Sequence, residues 1–238
     1  MSENRRLSTY AGVVGSNPIG TIFFKMDKIN RIMNKLEQHY KSVKRTTLNS
    51  MREKEEPWKI LISCLISLRT RDENTEKVSK KLYAVAKSLK DIAEMPLEKL
   101  EELIFSSGYY KNKAKTLKHV SQVILDKYKG KVPDDKEKLL EIKGIGPKTA
   151  NVVLNFAFDK LVIPVDANVH RIANRLGWVR EKTAEKTEKA LEKVLPRKYW
   201  KEVNALFILH GRTICLPRNP RCLQCPVSKF CPRAGVEG

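Results

Sequence analysis

The sequence lacks the features that mark membrane, fibrous and disordered proteins. No stretch of its 238 residues approaches the roughly 20 uninterrupted apolar residues of a membrane span, so we expect no membrane association. Glycine and proline number only 11 each and 41% of the residues are hydrophobic, which is the composition of a globular protein. Negative charge is also scarce, because 27 acidic residues stand against 47 Lys and Arg and leave a formal net charge of +20. Such an excess favours a polyanionic partner, most commonly nucleic acid, over a merely soluble basic surface.

Patterns typical of β-strands are nearly absent too. Apolar residues recur at helical spacing through most of the chain, and this predicts an all-α protein. The first 25 residues lack the apolar core of a secretory signal, because residues 15–18 interrupt their weak apolar run. We therefore predict a disordered leader over residues 1–25 and a first helix that begins at Met26.

A glycine-rich turn before an apolar helix is the strongest local signal. Residues 144–151 read Gly-Ile-Gly-Pro-Lys-Thr-Ala-Asn. Two glycines around one isoleucine, followed by a proline, allow a tight hairpin whose backbone amides point outward at a helix N-terminus, which suits a phosphate. The alternative is an ordinary turn between helices. The flanking Lys143 and Lys148 favour the phosphate site.

A second motif follows at residues 165–171, which read Val-Asp-Ala-Asn-Val-His-Arg. Asp166 falls at a predicted helix start, where aspartate commonly caps the backbone. From its spacing alone, Asp166 is therefore interpreted as a helix cap.

Four of the five cysteines lie close together near the end of the chain, at positions 215, 222, 225 and 231. Four thiolates at this spacing can enclose one metal site, and both zinc and a [4Fe–4S] cluster accept four cysteines. A metal site of this kind, with an odd number of cysteines, argues against disulfides and for a reducing compartment such as the cytoplasm. Arg218 and Arg221 lie between Cys215 and Cys222 with no acidic residue beside them, so this loop is a candidate phosphate contact.

Aromatic and basic residues also interleave at residues 106–114, after a predicted helix. This composition is expected where a side chain wedges into a base stack. The alternative is a hydrophobic turn packed on the core.

Together the motifs at 144–151 and 165–171 resemble the helix-hairpin-helix, Gly-Pro-Asp superfamily of DNA glycosylases, and specifically its endonuclease III branch. The resemblance runs from about Met26 to the C-terminus. It implies that Lys148 is the nucleophile, that Asp166 assists it, and that Cys215, Cys222, Cys225 and Cys231 hold one [4Fe–4S] cluster.

The same resemblance implies roles in DNA binding. Tyr109 stands where the family has its intercalating wedge. Arg69 stands where relatives usually have a glutamine that fills the gap left by the flipped base, and Asn168 replaces a histidine common after the catalytic aspartate. These departures bear on which base pair is preferred. The expected DNA-binding residues are Lys143, Gly144, Gly146, Arg69, Tyr109, Arg218 and Arg221.

The resulting expectation is two helical lobes with DNA in the groove between them. Residues 50–160 would form a six-helix barrel lobe with the hairpin, and residues 26–49 and 161–238 an iron–sulfur lobe. The implied activity is a bifunctional DNA glycosylase and apurinic/apyrimidinic (AP) lyase of base excision repair that removes oxidised pyrimidines such as thymine glycol. We expect a cytoplasmic, nucleoid-associated monomer that binds double-stranded DNA containing damaged bases or abasic sites. The alternatives are a mismatch-specific glycosylase of the same fold and a non-catalytic iron–sulfur DNA-binding protein.

Overall fold

The computed structural model describes residues 18–43, 47–51 and 55–236, and within these ranges all regular secondary structure is helical. This confirms the predicted all-α class. No helix in this part of the chain has the length and apolar character needed to cross a membrane. The α-helices are α1 (Pro18–Tyr40), α2 (Thr47–Met51), α3 (Pro57–Ser67), α4 (Asp72–Val85), α5 (Leu89–Glu94), α6 (Leu97–Ile104), α7 (Tyr110–Tyr128), α8 (Lys136–Leu140), α9 (Pro147–Ala157), α10 (Ala167–Arg175), α11 (Ala184–Val194) and α12 (Val203–Thr213).

The first helix begins earlier than the sequence pattern predicted. It starts at Pro18 rather than Met26, so the prediction of a disordered leader is wrong for residues 18–25, which form the first turns of α1. Proline is well tolerated in the first turn of a helix, and Pro18 is here the first residue of α1. Residues 1–17 lie outside the described residues.

A first hydrophobic core is built from one continuous stretch of chain. Helices α3 to α9 all contribute to it, through side chains such as Leu65, Leu82, Leu100, Leu117 and Val153. Two of these helices, α5 and α8, have only six and five residues, too few for an apolar period to be visible in the sequence.

A second core joins the two ends of the described chain. Ile32 and Leu36 of α1 pack with Ile172 of α10, Leu191 of α11 and Phe207 of α12. The chain crosses from the first core to the second between two consecutive residues. The half-buried side chain of Val162 packs on the first core, and that of Ile163 lies within the second. The segment between α9 and α10 therefore places the N-terminus of α10 at the junction of the two cores.

Candidate functional site

The hairpin between α8 and α9 is anchored by its isoleucines and presents its glycines outward. Ile142 and Ile145 are buried in the first core, whereas Lys143, Gly144 and Gly146 are exposed. Gly144 has a φ of +104°, and a Cβ there would lie 2.7 Å from Cγ2 of Thr116, so both backbone conformation and space favour glycine. No side chain caps the N-terminus of α9, which leaves its first amides free for an anion.

The two residues expected to carry the chemistry lie together at the junction of the cores. Lys148, in the first turn of α9, places Nζ 3.7 Å from Oδ2 of Asp166. The side chain of Lys148 is 44% exposed and that of Asp166 only 10%. The lysine is therefore accessible to a ligand, while the carboxylate is held within the protein.

Asp166 is a helix cap as well as the partner of Lys148. Its Oδ1 accepts hydrogen bonds from the backbone N–H groups of Asn168 (2.8 Å) and Val169 (2.9 Å) at the start of α10. The cap interpretation is consistent with these bonds, and Oδ2 is left to face the lysine. Capping fixes the Asp166 side chain in one orientation, so Oδ2 is held in place for the more exposed Lys148 side chain to approach.

A chain of hydrogen bonds connects this carboxylate to the cysteine loop. Asn168 donates from Nδ2 to Oδ2 of Asp166 (3.2 Å), and Arg171 donates from Nη2 to Oδ1 of Asn168 (2.9 Å). The same Nη2 donates to the carbonyl oxygens of Gly211 (3.2 Å) and Cys215 (2.9 Å). Sequence reasoning noted Asn168 as a departure but missed Arg171, whose position one turn after Asn168 was the available signal.

The two loops expected to enter DNA lie against each other. Arg69 and Tyr109 both have left-handed backbones, with φ of 54° and 60°, and the Arg69 guanidinium carbon lies 5.2 Å from the centre of the Tyr109 ring. Tyr109 is 63% exposed, so its ring does not pack on the core, whereas the neighbouring Tyr110 packs against the first core. A Cβ at Gly108 would lie 2.8 Å from the carbonyl oxygen of Arg69, so only glycine allows this close approach.

A buried lysine forms hydrogen bonds to residues on both sides of Arg69. Lys113 donates from Nζ to the carbonyl oxygen of Ile66 (2.7 Å) and to Oγ1 of Thr70 (2.6 Å). Burial lowers the pKa of Lys113 to about 8. The ammonium group is therefore held by neutral partners on both sides of Arg69.

The titration of Lys113 gives a test of this arrangement. In the folded protein the ammonium loses its proton near pH 8 and in the unfolded chain near 10.5, so the folded state binds fewer protons between these values. The free energy of unfolding of the wild type should therefore rise with pH from about 8 to about 10, relative to that of Lys113→Met. Urea titrations of both proteins across this range measure the difference. Parallel curves would contradict the burial of a charged lysine.

The four clustered cysteines surround an apolar cavity. Their side chains line it together with Ile172, Leu176, Ile214 and Val227, and none of them forms a disulfide. Among the described residues no three His, Cys, Asp or Glu side chains converge as they would around a single metal ion. The thiols are instead spread over the wall of the cavity.

Hydrogen-bond donors face these sulfur atoms. Nη1 of Arg175 lies 3.4 Å from Sγ of Cys215, and the backbone N–H of Arg233 lies 3.4 Å from Sγ of Cys231. Donors of this kind stabilise negative charge on sulfur, so the cavity fits an iron–sulfur cluster held by four thiolates. Arg175 also donates to the carbonyl oxygens of Leu216 (2.6 Å) and Pro217 (3.0 Å), which anchors the loop that exposes Arg218 and Arg221.

Comparison with known proteins agrees with this geometry. The model of the HhH-GPD superfamily of base excision DNA repair proteins matches residues 62–197, and that of the iron–sulfur binding domain of endonuclease III matches residues 215–231. Endonuclease III of Thermotoga maritima is 47% identical over 176 residues, which cover 74% of this chain and 83% of the relative. The chain belongs to the endonuclease III family. Endonuclease III of Escherichia coli is 35% identical over 175 residues, with 74% of this chain and 83% of the relative covered.

Solved structures place the fold in the same family. A trapped covalent intermediate of endonuclease III with DNA matches with a TM-score of 0.77 and 31% identity, over 87% of this chain and 96% of that one. A thermostable thymine-DNA glycosylase matches with a TM-score of 0.76 and 26% identity, over 87% of this chain and 96% of that one. As an endonuclease III family member, the protein is a DNA glycosylase and AP lyase of base excision repair and has a [4Fe–4S] cluster. The family resemblance predicted from the sequence is confirmed, and the cluster, not zinc, is the cofactor.

Proposed function

We propose that this endonuclease III family member removes oxidised pyrimidines such as thymine glycol, with Lys148 as nucleophile and Asp166 as its assisting carboxylate. The observation that carries the proposal is the 3.7 Å separation between Nζ of Lys148 and Oδ2 of Asp166 at the junction of the two cores. A flipped nucleotide in the groove would meet both groups at its sugar.

The proposed reaction uses the neutral amine of Lys148. Nζ attacks C1′ of the deoxyribose, the bond from C1′ to the base breaks with its electron pair leaving on the base, and Nζ gives up a proton. The C1′–O4′ bond then opens, O4′ takes its electron pair and a proton, and the nitrogen lone pair completes the Schiff base. β-Elimination removes a proton from C2′ and expels the 3′-phosphate, which cuts the strand. The attack requires the unprotonated amine, which bound DNA would favour by excluding water from the exposed side chain.

Asp166 cannot be the group that keeps this lysine neutral. A nearby carboxylate favours the charged ammonium, so its contribution comes later in the reaction. Oδ2 is positioned to accept the proton that Nζ releases, or to stabilise positive charge that develops on the sugar. Its second oxygen remains bonded to the start of α10 throughout.

The proposed DNA surface combines three exposed features. Lys143, Gly144 and Gly146 would bind a phosphate through the hairpin amides, and Arg69 with Tyr109 would fill the space left by the flipped nucleotide. Arg218 and Arg221 would contact phosphates from the loop that Cys215, Cys222, Cys225 and Cys231 hold around the cluster. When bound, the cluster supplies a rigid attachment for this loop, and the proposed mechanism requires no electron transfer.

We further propose that the two cores correspond to two lobes, a barrel lobe over residues 50–160 and an iron–sulfur lobe formed by residues 26–49 and 161–238. The two separate sets of buried side chains support this division. The protein would act as a monomer in the cytoplasm, associated with the nucleoid and with DNA that carries damaged bases or abasic sites.

Three duplexes test the substrate class. We expect purified protein to cut duplexes that contain thymine glycol or an abasic site and to leave a G·T mismatch at least about 100-fold less processed, because the pocket must distinguish a damaged from a normal base. Faster processing of G·T than of thymine glycol would favour a mismatch glycosylase, the class of the thymine-DNA glycosylase that shares the fold. Cleavage of none of the three would favour a DNA-binding role without catalysis.

A further inference from the structure

A pocket next to Lys148 includes residues that the proposed chemistry does not use. It is lined by Leu68, Gly146, Lys148 and Val165 and also by Ala184 and Glu188 of α11. Because the amine has to reach C1′ of a flipped nucleotide, the base attached to that carbon has to occupy the space beside it. The pocket therefore brings α11 into contact with the base.

The carboxylate of Glu188 has one oxygen with a hydrogen-bond partner and one without in the described part of the chain. The residue is 9% exposed, and its Oε1 accepts a hydrogen bond from Nζ of Lys136 at 2.6 Å. Its Oε2 has no hydrogen-bond partner within the described ranges. Oε2 is therefore a free acceptor in a residue that lines the pocket beside Lys148, and an N–H group of a ligand would satisfy it.

The other acidic residue of the pocket is already engaged. The carboxylate of Glu185 bonds to its own backbone N–H and to the hydroxyl of Thr183, and these bonds lower the pKa of Glu185. It therefore acts in the first turn of α11, where a negative charge stabilises the helix. Glu188, one turn further on, is left as the acceptor that faces the base.

We propose that Glu188 is a specificity-determining residue whose Oε2 accepts the N3–H of the flipped oxidised pyrimidine. The inference rests on the proposed function, since it concerns the base in the same site. Thymine-derived lesions retain the ring N3–H, and the site would reject a base that presents an acceptor or a methyl group at this position.

The ion pair with Lys136 makes Glu188→Gln an informative variant. Because the Lys136 ammonium only donates, the amide oxygen of the glutamine should turn toward it, which directs the amide NH₂ into the pocket. The substitution then replaces an acceptor by a donor while the contact with Lys136 is kept. Glu192→Gln, which removes the same charge from an exposed position on the same helix, is the matched control.

The experiment compares three duplexes: one with thymine glycol, one with N3-methylthymine glycol and one with an abasic site. For Glu188→Gln we expect kcat/KM for thymine glycol excision to fall by about 10- to 100-fold, as for the loss of a hydrogen bond to a charged group. Incision of the abasic duplex should change less than about threefold, since no base is present. N3-methylation should reduce excision at least tenfold in the wild type and in Glu192→Gln, and by much less in Glu188→Ala.

These measurements separate a failure of the Glu188 contact from a failure of the proposed function. An equal penalty for N3-methylation in the wild type and Glu188→Ala would overturn the role of Glu188, as would an equal loss of excision and abasic incision in Glu188→Gln. If the wild type itself does not incise the abasic duplex, the proposed function fails before Glu188 is tested.

Discussion

Replacement of Lys148 by alanine is expected to abolish the covalent protein–DNA complex that borohydride traps. Without the primary amine no Schiff base can form, and incision of thymine glycol and abasic duplexes should fall by about 10³-fold or more. Gel analysis after borohydride reduction measures the complex, and single-turnover incision measures the rate.

Folding should not explain this loss. The Lys148 side chain is 44% exposed and, within the part of the chain that the structure describes, pairs only with Asp166, which keeps its bonds to α10 in the variant. The free energy of unfolding should therefore change by less than about 1 kcal/mol. Lys99→Ala, an exposed lysine of α6, provides a charge-matched control that should still be trapped. Persistence of the complex in Lys148→Ala would refute the assignment of the nucleophile.

The replacement of Asp166 by asparagine should separate its two roles. Asparagine is as good a helix cap as aspartate, so the start of α10 should remain intact. The negative charge 3.7 Å from Nζ of Lys148 is lost, and single-turnover base excision should fall by about 10²- to 10³-fold.

A second substitution at this position provides the comparison. Asp166→Ala removes the cap as well as the charge, so it should lose about 1 kcal/mol of stability beyond that of Asp166→Asn, with a similar loss of activity. Thermal unfolding and excision rates of both variants measure the two effects. If Asp166→Asn retained full activity, the residue would be a helix cap and nothing more.

Local sequence patterns predicted the parts of the site that depend on neighbouring residues. The two glycines and the proline of residues 144–147 indicated the hairpin, and the position of Asp166 indicated a helix cap, because a few consecutive side chains determine both. The start of α1 was harder to predict, since a single proline is compatible with either a helix break or a first helical turn.

Contacts between residues that are far apart in the chain could not be predicted from local sequence patterns. The approach of Lys148 to Asp166 depends on how the two cores meet, and the family resemblance alone suggested it. The contact of Arg171 with Cys215 spans 44 positions, and the position of Glu188 beside Lys148 depends on the packing of α11. In the sequence, Glu188 is one of several charged residues of α11, and their pattern is typical of a solvated helix surface.

The second core has a consequence for how the protein is made on the ribosome. Its first contributor, α1, is synthesised before every other helix, but the residues that cover Ile32 and Leu36 lie at 163–227. Helices α3 to α9, which build the first core, can assemble as soon as they emerge, because domains generally fold as units during translation. The apolar face of α1 therefore stays without its final partners until nearly the whole nascent chain has been released, and over that interval it is a natural substrate for chaperones.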